Sequence, residues 1–242
     1  MSRLTDQQDA WGHAMYDAYM GKPAYEIYER DDGDVNVVPS QKYVKGSGRW
    51  QPQERAALAL ARGKVLDLGC GAGRTALYLQ QKGLDVLGID NSPLAIKVCK
   101  LRGLKKAKVL SITQVSHKLG TFDTLLLFGF GLFGSLGRAR WLLRRFRRIT
   151  TDQARIITVG MDPYQTKVRD HLAYHRRNRR RGRMPGQIRL RVRRRKRATP
   201  WFDHLMVSKG EMAEMLDGTG WEVGRFIGPK GSGYIAVIEK ER

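Results

Sequence analysis

At 242 residues and 41% hydrophobic content, the chain has room for one α/β domain with a sizeable core and one moderate insertion, which excludes two full-size domains. No uncharged apolar run approaches the roughly 18 residues of a membrane span, the N-terminus lacks the features of a secretion or transit signal, and two cysteines are too few for a disulfide framework or a cysteine metal site, so a soluble cytoplasmic protein is expected. The net charge of +22 and a pI near 10.4 are the footprint of a nucleic-acid binder, but fifteen basic residues against two acidic ones lie between Pro163 and Val207, so more than half of the excess sits in one segment.

In chain order, Trp11, Ala14, Met15, Ala18 and Tyr19 form an apolar stripe at helical spacing, and Pro23 to Glu29, with Tyr25, Ile27 and Tyr28, reads as a second short helix. Residues 31–49, rich in Asp, Gly, Pro and Ser, read as an exposed loop. Pro52 then opens a helix to Arg62. From Lys64 to Asp90 the pattern is strand, glycine loop, helix, strand. Val65, Leu66 and Leu68 are the apolar run of a buried strand, and Asp67-Leu68-Gly69-Cys70-Gly71-Ala72-Gly73 sets three glycines at alternate positions where the strand turns into a helix. Glycine is what lets a backbone turn tightly and approach a ligand closely. Val86, Leu87 and Ile89 form the next strand, closed by Asp90, seventeen positions after Gly73 and close to the offset of about 20 at which an acid meets ribose hydroxyls. A nicotinamide or flavin site is the rival reading, because Gly71-Ala72-Gly73-Arg74-Thr75-Ala76 also fits GxGxxA. Asp67 separates the two, since an acid directly before the glycines repels a pyrophosphate but suits a loop that receives an ammonium or sulfonium group.

On these residues the chain resembles the class I S-adenosylmethionine-dependent methyltransferases, whose first motif is an acid followed by GxGxG and whose second is the acid closing the next strand. The resemblance implies an α/β fold with a seven-stranded Rossmann-like methyltransferase sheet and helices on both faces, and the residue pattern adds to it an N-terminal helical extension and a helix plus β-hairpin insertion after the fifth strand. The expected divisions are residues 1–50 for the extension or lid, 51–162 for the cofactor-binding core, 163–207 for the basic insertion and 208–242 for the end of the core. The implied cofactor is S-adenosyl-L-methionine, held by Asp67, Gly69, Cys70, Gly71, Gly73, Asp90, Asn91, Ser111, Ile112 and Phe128. Tyr16, Tyr19, Tyr25 and Tyr28 are lid candidates beside their plainer reading as core or surface. Cys70 reads as a packing residue rather than a nucleophile.

Further along, Ser92-Pro93 caps a helix through Lys100. Residues 107–112 make the third strand and 122–128 the fourth, which runs into Gly129-Phe130-Gly131-Leu132-Phe133-Gly134, where cofactor and acceptor should meet. A helix from Arg138 to Ile149 precedes the fifth strand, 155–160. In the insertion, 165–181 reads as a helix carrying His171 and His175, which lack a third ligand at motif spacing, so no metal is expected. A strand follows in which Ile188, Leu190 and Val192 alternate with Arg189, Arg191 and Arg193, one face packing and the other presenting guanidinium groups to the crevice. Thr199 to Val207 returns antiparallel. Ser208 and Glu211 form a capping box, and 221–227 with 234–238 close the sheet.

Methyl transfer from a sulfonium is an in-line displacement that needs a base only if the acceptor must lose a proton. His171, His175 and His204 are the base candidates, with Asp162 and Tyr164 also in range. Tyr16, Tyr19, Phe130, Tyr164, Arg189, Arg191 and Trp201 are the candidates for holding the acceptor. The expected acceptor is a small, anionic molecule gripped by the arginine row. RNA is the alternative, because of the charge. It is weakened because the position of the base-amine motif [DN]PP[YF] holds Phe128-Gly129-Phe130-Gly131, because Asp162-Pro163-Tyr164 resembles that motif only loosely, and because no cysteine follows the fourth or fifth strand.

Overall fold

The chain enters through α1 (Ala10–Tyr19), whose first turn is capped by the buried Asp9 accepting from the Gly12 N–H at 3.0 Å. In the computed structural model, which describes residues 3–46, 50–228 and 231–241, the second helix expected over 23–29 is instead a strand, β1 (Tyr25–Arg30). It pairs antiparallel with β2 (Val35–Pro39) across a turn closed by Arg30 N–H to the Asp34 carbonyl at 2.8 Å. The signal was present in the sequence. Tyr25-Glu26-Ile27-Tyr28 is aromatic and β-branched, and Asp31-Asp32-Gly33-Asp34 is a turn, with Gly33 at φ +95°. The loop expected over 31–49 thus contains β2 and a 3-10 turn, Ser40–Tyr43, while its residues 47–49 lie outside those described.

The core follows as α2 (Pro52–Leu58), β3 (Lys64–Leu68), α3 (Arg74–Gln81), β4 (Asp85–Asp90), α4 (Pro93–Leu101), β5 (Lys106–Val109), β6 (Phe122–Leu127), α5 (Leu136–Arg147) and β7 (Thr150–Met161). After it come α6 (Arg169–Arg180), β8 (Gln187–Arg194), β9 (Arg197–Ala198), β10 (Phe202–Leu205), α7 (Lys209–Leu216), β11 (Trp221–Ile227) and β12 (Gly233–Lys240). The main sheet has seven strands in the order β11-β12-β7-β6-β3-β4-β5. β12 runs antiparallel to both of its neighbours, and the strands from β7 to β5 are parallel. Alternation along β3 splits the core into two layers. Leu66 and Leu68 pack with Leu142 and Phe146 of α5 and Met212 and Met215 of α7, whereas Val65 packs with Leu58 of α2, Leu77 and Leu79 of α3 and Ile96 of α4. Helices therefore cover both faces, as a buried parallel sheet requires. The Ser208–Glu211 capping box forms as expected, with the Ser208 N–H donating to Glu211 at 2.8 Å.

A second, antiparallel sheet runs β10-β8-β1-β2, with β9 against β8. β1 comes from the N-terminal segment and β8 from the insertion, so two stretches read separately in the sequence form one sheet, in register from Ile27 opposite Arg193 to Arg30 opposite Leu190. Ala10, Leu190, Val192 and Phe202, with Trp11, Tyr28 and Ile188, pack between it and α1. Among the described residues no helix is long and apolar enough to cross a membrane.

Candidate active site

The order of the main sheet reverses beside β3, with β4 and β5 on one side and β6 on the other, and ligands of open α/β sheets bind at such a switch point beyond the carboxyl ends of the strands. A cavity of about 630 Å³ opens there, within the size range of small-molecule sites. Its core-side wall contains Asp67, Gly69, Cys70, Gly71, Asp90, Asn91, Ser111, Ile112 and Phe128. Of the residues expected to hold a cofactor only Gly73 is missing from that wall. A Cβ at Gly73 would meet Cys99 Sγ at 3.0 Å and Leu104 at 3.7 Å, so this glycine permits helix packing behind the loop. At Gly71 a Cβ would meet only the tip of Met15, at 3.3 Å.

The two acids are held differently. Asp67 is buried and accepts from the Thr75 hydroxyl at 2.6 Å. Asp90 lies at the cavity edge and accepts from the Gly71 N–H at 3.0 Å and the Ser92 N–H at 2.9 Å. Burial pushes each up to about 6, against the hydrogen bonds that favour the charged forms. The N-terminal segment closes over this corner. The Leu4 N–H donates to the Asn91 carbonyl at 3.1 Å, and Asp9 accepts from the Leu94 N–H at 3.2 Å. Met15 lies over Gly71, and Trp11, Tyr28, Lys42 and Tyr43 line the wall. Tyr28 and Tyr43 both donate to the fully buried Glu26, at 2.9 and 3.0 Å. Burial drives both phenols far above their ordinary range, so they stay protonated donors.

The opposite wall corrects the expected acceptor contacts. Ile188 and Leu190 of β8 face the cavity together with Phe202 and Met206, and the arginines alternate away from it. Arg189 pairs with Asp203 at 3.5 Å. Arg191 pairs with Glu29 at 2.9 Å while lying over Trp201, and Arg193 shares Glu29 at 3.0 Å. The alternation along β8 holds with its parity reversed, because β1 carries Glu29, which draws Arg191 and Arg193 to the outer face, while Arg189 pairs with Asp203 of β10. Arg177, Arg183, Arg194 and Arg197 also sit in ion pairs, with Asp31, Asp203, Asp17 and Asp6, so much of the positive segment is neutralised in place.

None of the seven acceptor candidates borders the cavity. The Tyr16 ring lies under Lys97, and the Tyr19 hydroxyl reaches the Leu101 carbonyl at 3.4 Å. Phe130 is buried against Phe133, and Tyr164 donates to Glu211 at 2.5 Å. Tyr25 stacks under Arg194, so of the tyrosines proposed for a lid only Tyr28 reaches the site. Among the base candidates, His171 is hydrogen-bonded to Thr166 at 3.1 Å and His175 meets the Tyr164 ring edge-on, both away from the cavity. His204 alone of the three borders it. Its ring lies against Gly131, where a Cβ would fall 1.9 Å from Cε1, and burial lowers its pKa to about 4, which keeps it neutral. Arg138, in the first turn of α5, also borders the cavity.

Residues 65–153 match a methyltransferase domain family. The chain is 36% identical over 86 residues to the 2-heptyl-1-hydroxyquinolin-4(1H)-one methyltransferase of Mycobacteroides abscessus, covering 31% of this chain and 38% of that protein. It is 34% identical over 76 residues to the ubiquinone biosynthesis O-methyltransferase of Xanthomonas oryzae, covering 29% and 32%. The chain thus spans less than two fifths of the length of these curated relatives. Across the whole fold it is similar to an S-adenosylmethionine-dependent methyltransferase from Bacteroides fragilis crystallised with S-adenosyl-L-homocysteine, with a TM-score of 0.85 and 26% identity, covering 100% of this chain and 98% of that one.

Proposed function

We propose that the chain, whose residues 65–153 match a methyltransferase domain family and whose whole fold is similar to an S-adenosylmethionine-dependent methyltransferase, transfers a methyl group from S-adenosyl-L-methionine to a small-molecule acceptor. The observation that carries this reading is the continuity of one cavity from the glycine loop and Asp90 to an apolar chamber roofed by the second sheet. The residues fit the cofactor: two left-handed glycines, Gly69 and Gly71, expose backbone to the cavity, and Asp90 offers acceptor oxygens beside them. Asp90 would take the ribose hydroxyls, and Ser111 and Ile112 would flank the adenine. Asp67 and the loop 69–71 would receive the amino-acid end, for which a buried carboxylate is a favourable neighbour of an ammonium. Bound there, the cofactor supplies an electrophilic methyl group on a sulfonium. The chain's own task is to exclude water and align the acceptor, and Met15, Leu132 and the Trp11–Phe202 pair, with ring centroids 5.3 Å apart, provide the dry walls.

The small-molecule reading is supported by the enclosure of the chamber and by the engagement of the insertion's arginines in ion pairs within the fold. An acceptor gripped by Arg189 and Arg191 is not favoured, because both point away from the chamber. The test is incubation with methyl-labelled cofactor and, separately, total RNA or a small-metabolite extract. Label is expected in the low-mass fraction. Label retained in RNA, with none in the extract, would overturn the acceptor class.

A further inference from the structure

Arg138 stands apart from the other cavity residues. It is half-buried on the chamber wall, its Nε is buried without a hydrogen-bond partner, and its guanidinium has no ion-pair partner among the described residues. The Asp203 carboxylate acts on it electrostatically, but that group is already engaged by Arg183 at 2.8 Å, Gln187 at 3.0 Å and Arg189 at 3.5 Å. A guanidinium nitrogen that has lost water and gained no partner is costly unless a ligand completes it. Leu132, Ile188, Phe202 and Met206 line the same cavity, so the field of the cation is poorly screened there.

We infer that Arg138 is the acceptor-binding residue and that it receives the acceptor as an oxyanion, the ionised form of an aromatic or enolic hydroxyl. This rests on the methyltransferase reading and deepens it. On binding, the acceptor's O–H bond breaks, its electron pair stays on oxygen beside the guanidinium, and the proton passes to solvent. The oxygen's pair then forms the bond to the methyl carbon as the carbon–sulfur bond breaks toward sulfur. No protein base is needed at that moment, which agrees with a His204 that burial keeps neutral and that is therefore no rival cation beside a sulfonium. An amine acceptor gains nothing from the same arginine, since its nucleophilic form is neutral and its protonated form is repelled. The other charged groups on the cavity wall are Asp67, Asp90, Lys42, the Glu54–Arg74 ion pair and, next to His204, Asp203. The carboxylates oppose the ionisation of a hydroxyl, so a downward shift in its pKa has to come from a cation close to it.

The probe is 4-nitrophenol, whose phenolate is coloured, titrated by absorbance into protein saturated with S-adenosylhomocysteine. The bound phenol is expected to ionise about one to three pH units lower than the free one, as an opposite charge at close range dictates. Arg138→Gln should abolish the shift, Arg138→Lys should restore part of it, and 4-nitroaniline should bind more weakly than the phenol. Binding of S-adenosylhomocysteine to each variant is the control for folding. If S-adenosylhomocysteine fails to bind the parent protein, the methyltransferase reading falls. If it binds but the phenol does not, or the phenol binds with an unshifted midpoint, or the shift survives in Arg138→Gln, the assignment of Arg138 alone is overturned.

Discussion

Asp90→Ala is expected to weaken S-adenosylhomocysteine binding by about two orders of magnitude or more, because hydrogen bonds to a charged group are worth about 1.5–3 kcal/mol each and two ribose hydroxyls lose their acceptor. The same substitution removes the acceptor for the Gly71 and Ser92 N–H groups, so part of the loss comes from a loosened loop. Asp90→Asn separates the two effects by its pH dependence. With the carboxyl raised to about 6, the hydroxyl-accepting anion is populated above that pH and lost below it, so the parent's affinity should be flat above pH 7 and fall as pH drops through 6. Asn carries no such titration. Its profile should be shallower, keeping only the contribution of Asp67, which titrates in the same range. A parent affinity that rises on acidification would contradict the role given to Asp90.

Gly71→Val and Gly73→Val should fail in different ways. At Gly71, φ is +54° and the space beyond the Cβ is cavity and the movable end of Met15, so a branched side chain fills ligand space while the surrounding core is untouched. Loss of measurable cofactor binding with a melting temperature within a few degrees of the parent is expected. At Gly73, φ is +77° and the added carbons meet Cys99 and Leu104, so the cost falls on folding stability, at about 1–3 kcal/mol for overpacking plus the left-handed strain. Thermal melts alongside calorimetry distinguish them. Because both positions share the left-handed strain, destabilisation of Gly71→Val equal to that of Gly73→Val would show that Gly71 serves packing as well.

The contrast between these glycines shows what the sequence made legible. Lys64 to Asp90 is a local unit whose strand, loop, helix and strand are encoded within 27 consecutive residues, and the structure reproduces it with both acids, Asp67 and Asp90, at the cavity. Gly73 fits the same motif spacing but serves the helix behind the loop, a distinction that depends on Cys99 and Leu104, far along the chain. The second sheet was hidden for the same reason. β1 was read as a helix because Tyr25, Ile27 and Tyr28 also fit a helical stripe, and what decides against it is pairing with β8, where Glu29 meets Arg191 across 162 positions. The parity of β8 followed from that missing partner, since with no carboxylate known to lie outside, the arginines were placed toward the crevice. His204 is not distinguishable from His171 and His175 in the sequence, because only the folding of β10 over the site brings it to the cavity. Arg138 had no local signal at all, being one arginine of several on α5.

The central claim is that the cavity beyond β3 and β6 is a site for S-adenosylmethionine, and titration calorimetry of the purified chain with S-adenosylhomocysteine tests it most directly. Saturable binding at one site per chain is expected, with no competition from NAD or NADP. Absence of heat with S-adenosylhomocysteine, together with saturable binding of a nicotinamide dinucleotide, would contradict the claim and return the glycine loop to its rival reading.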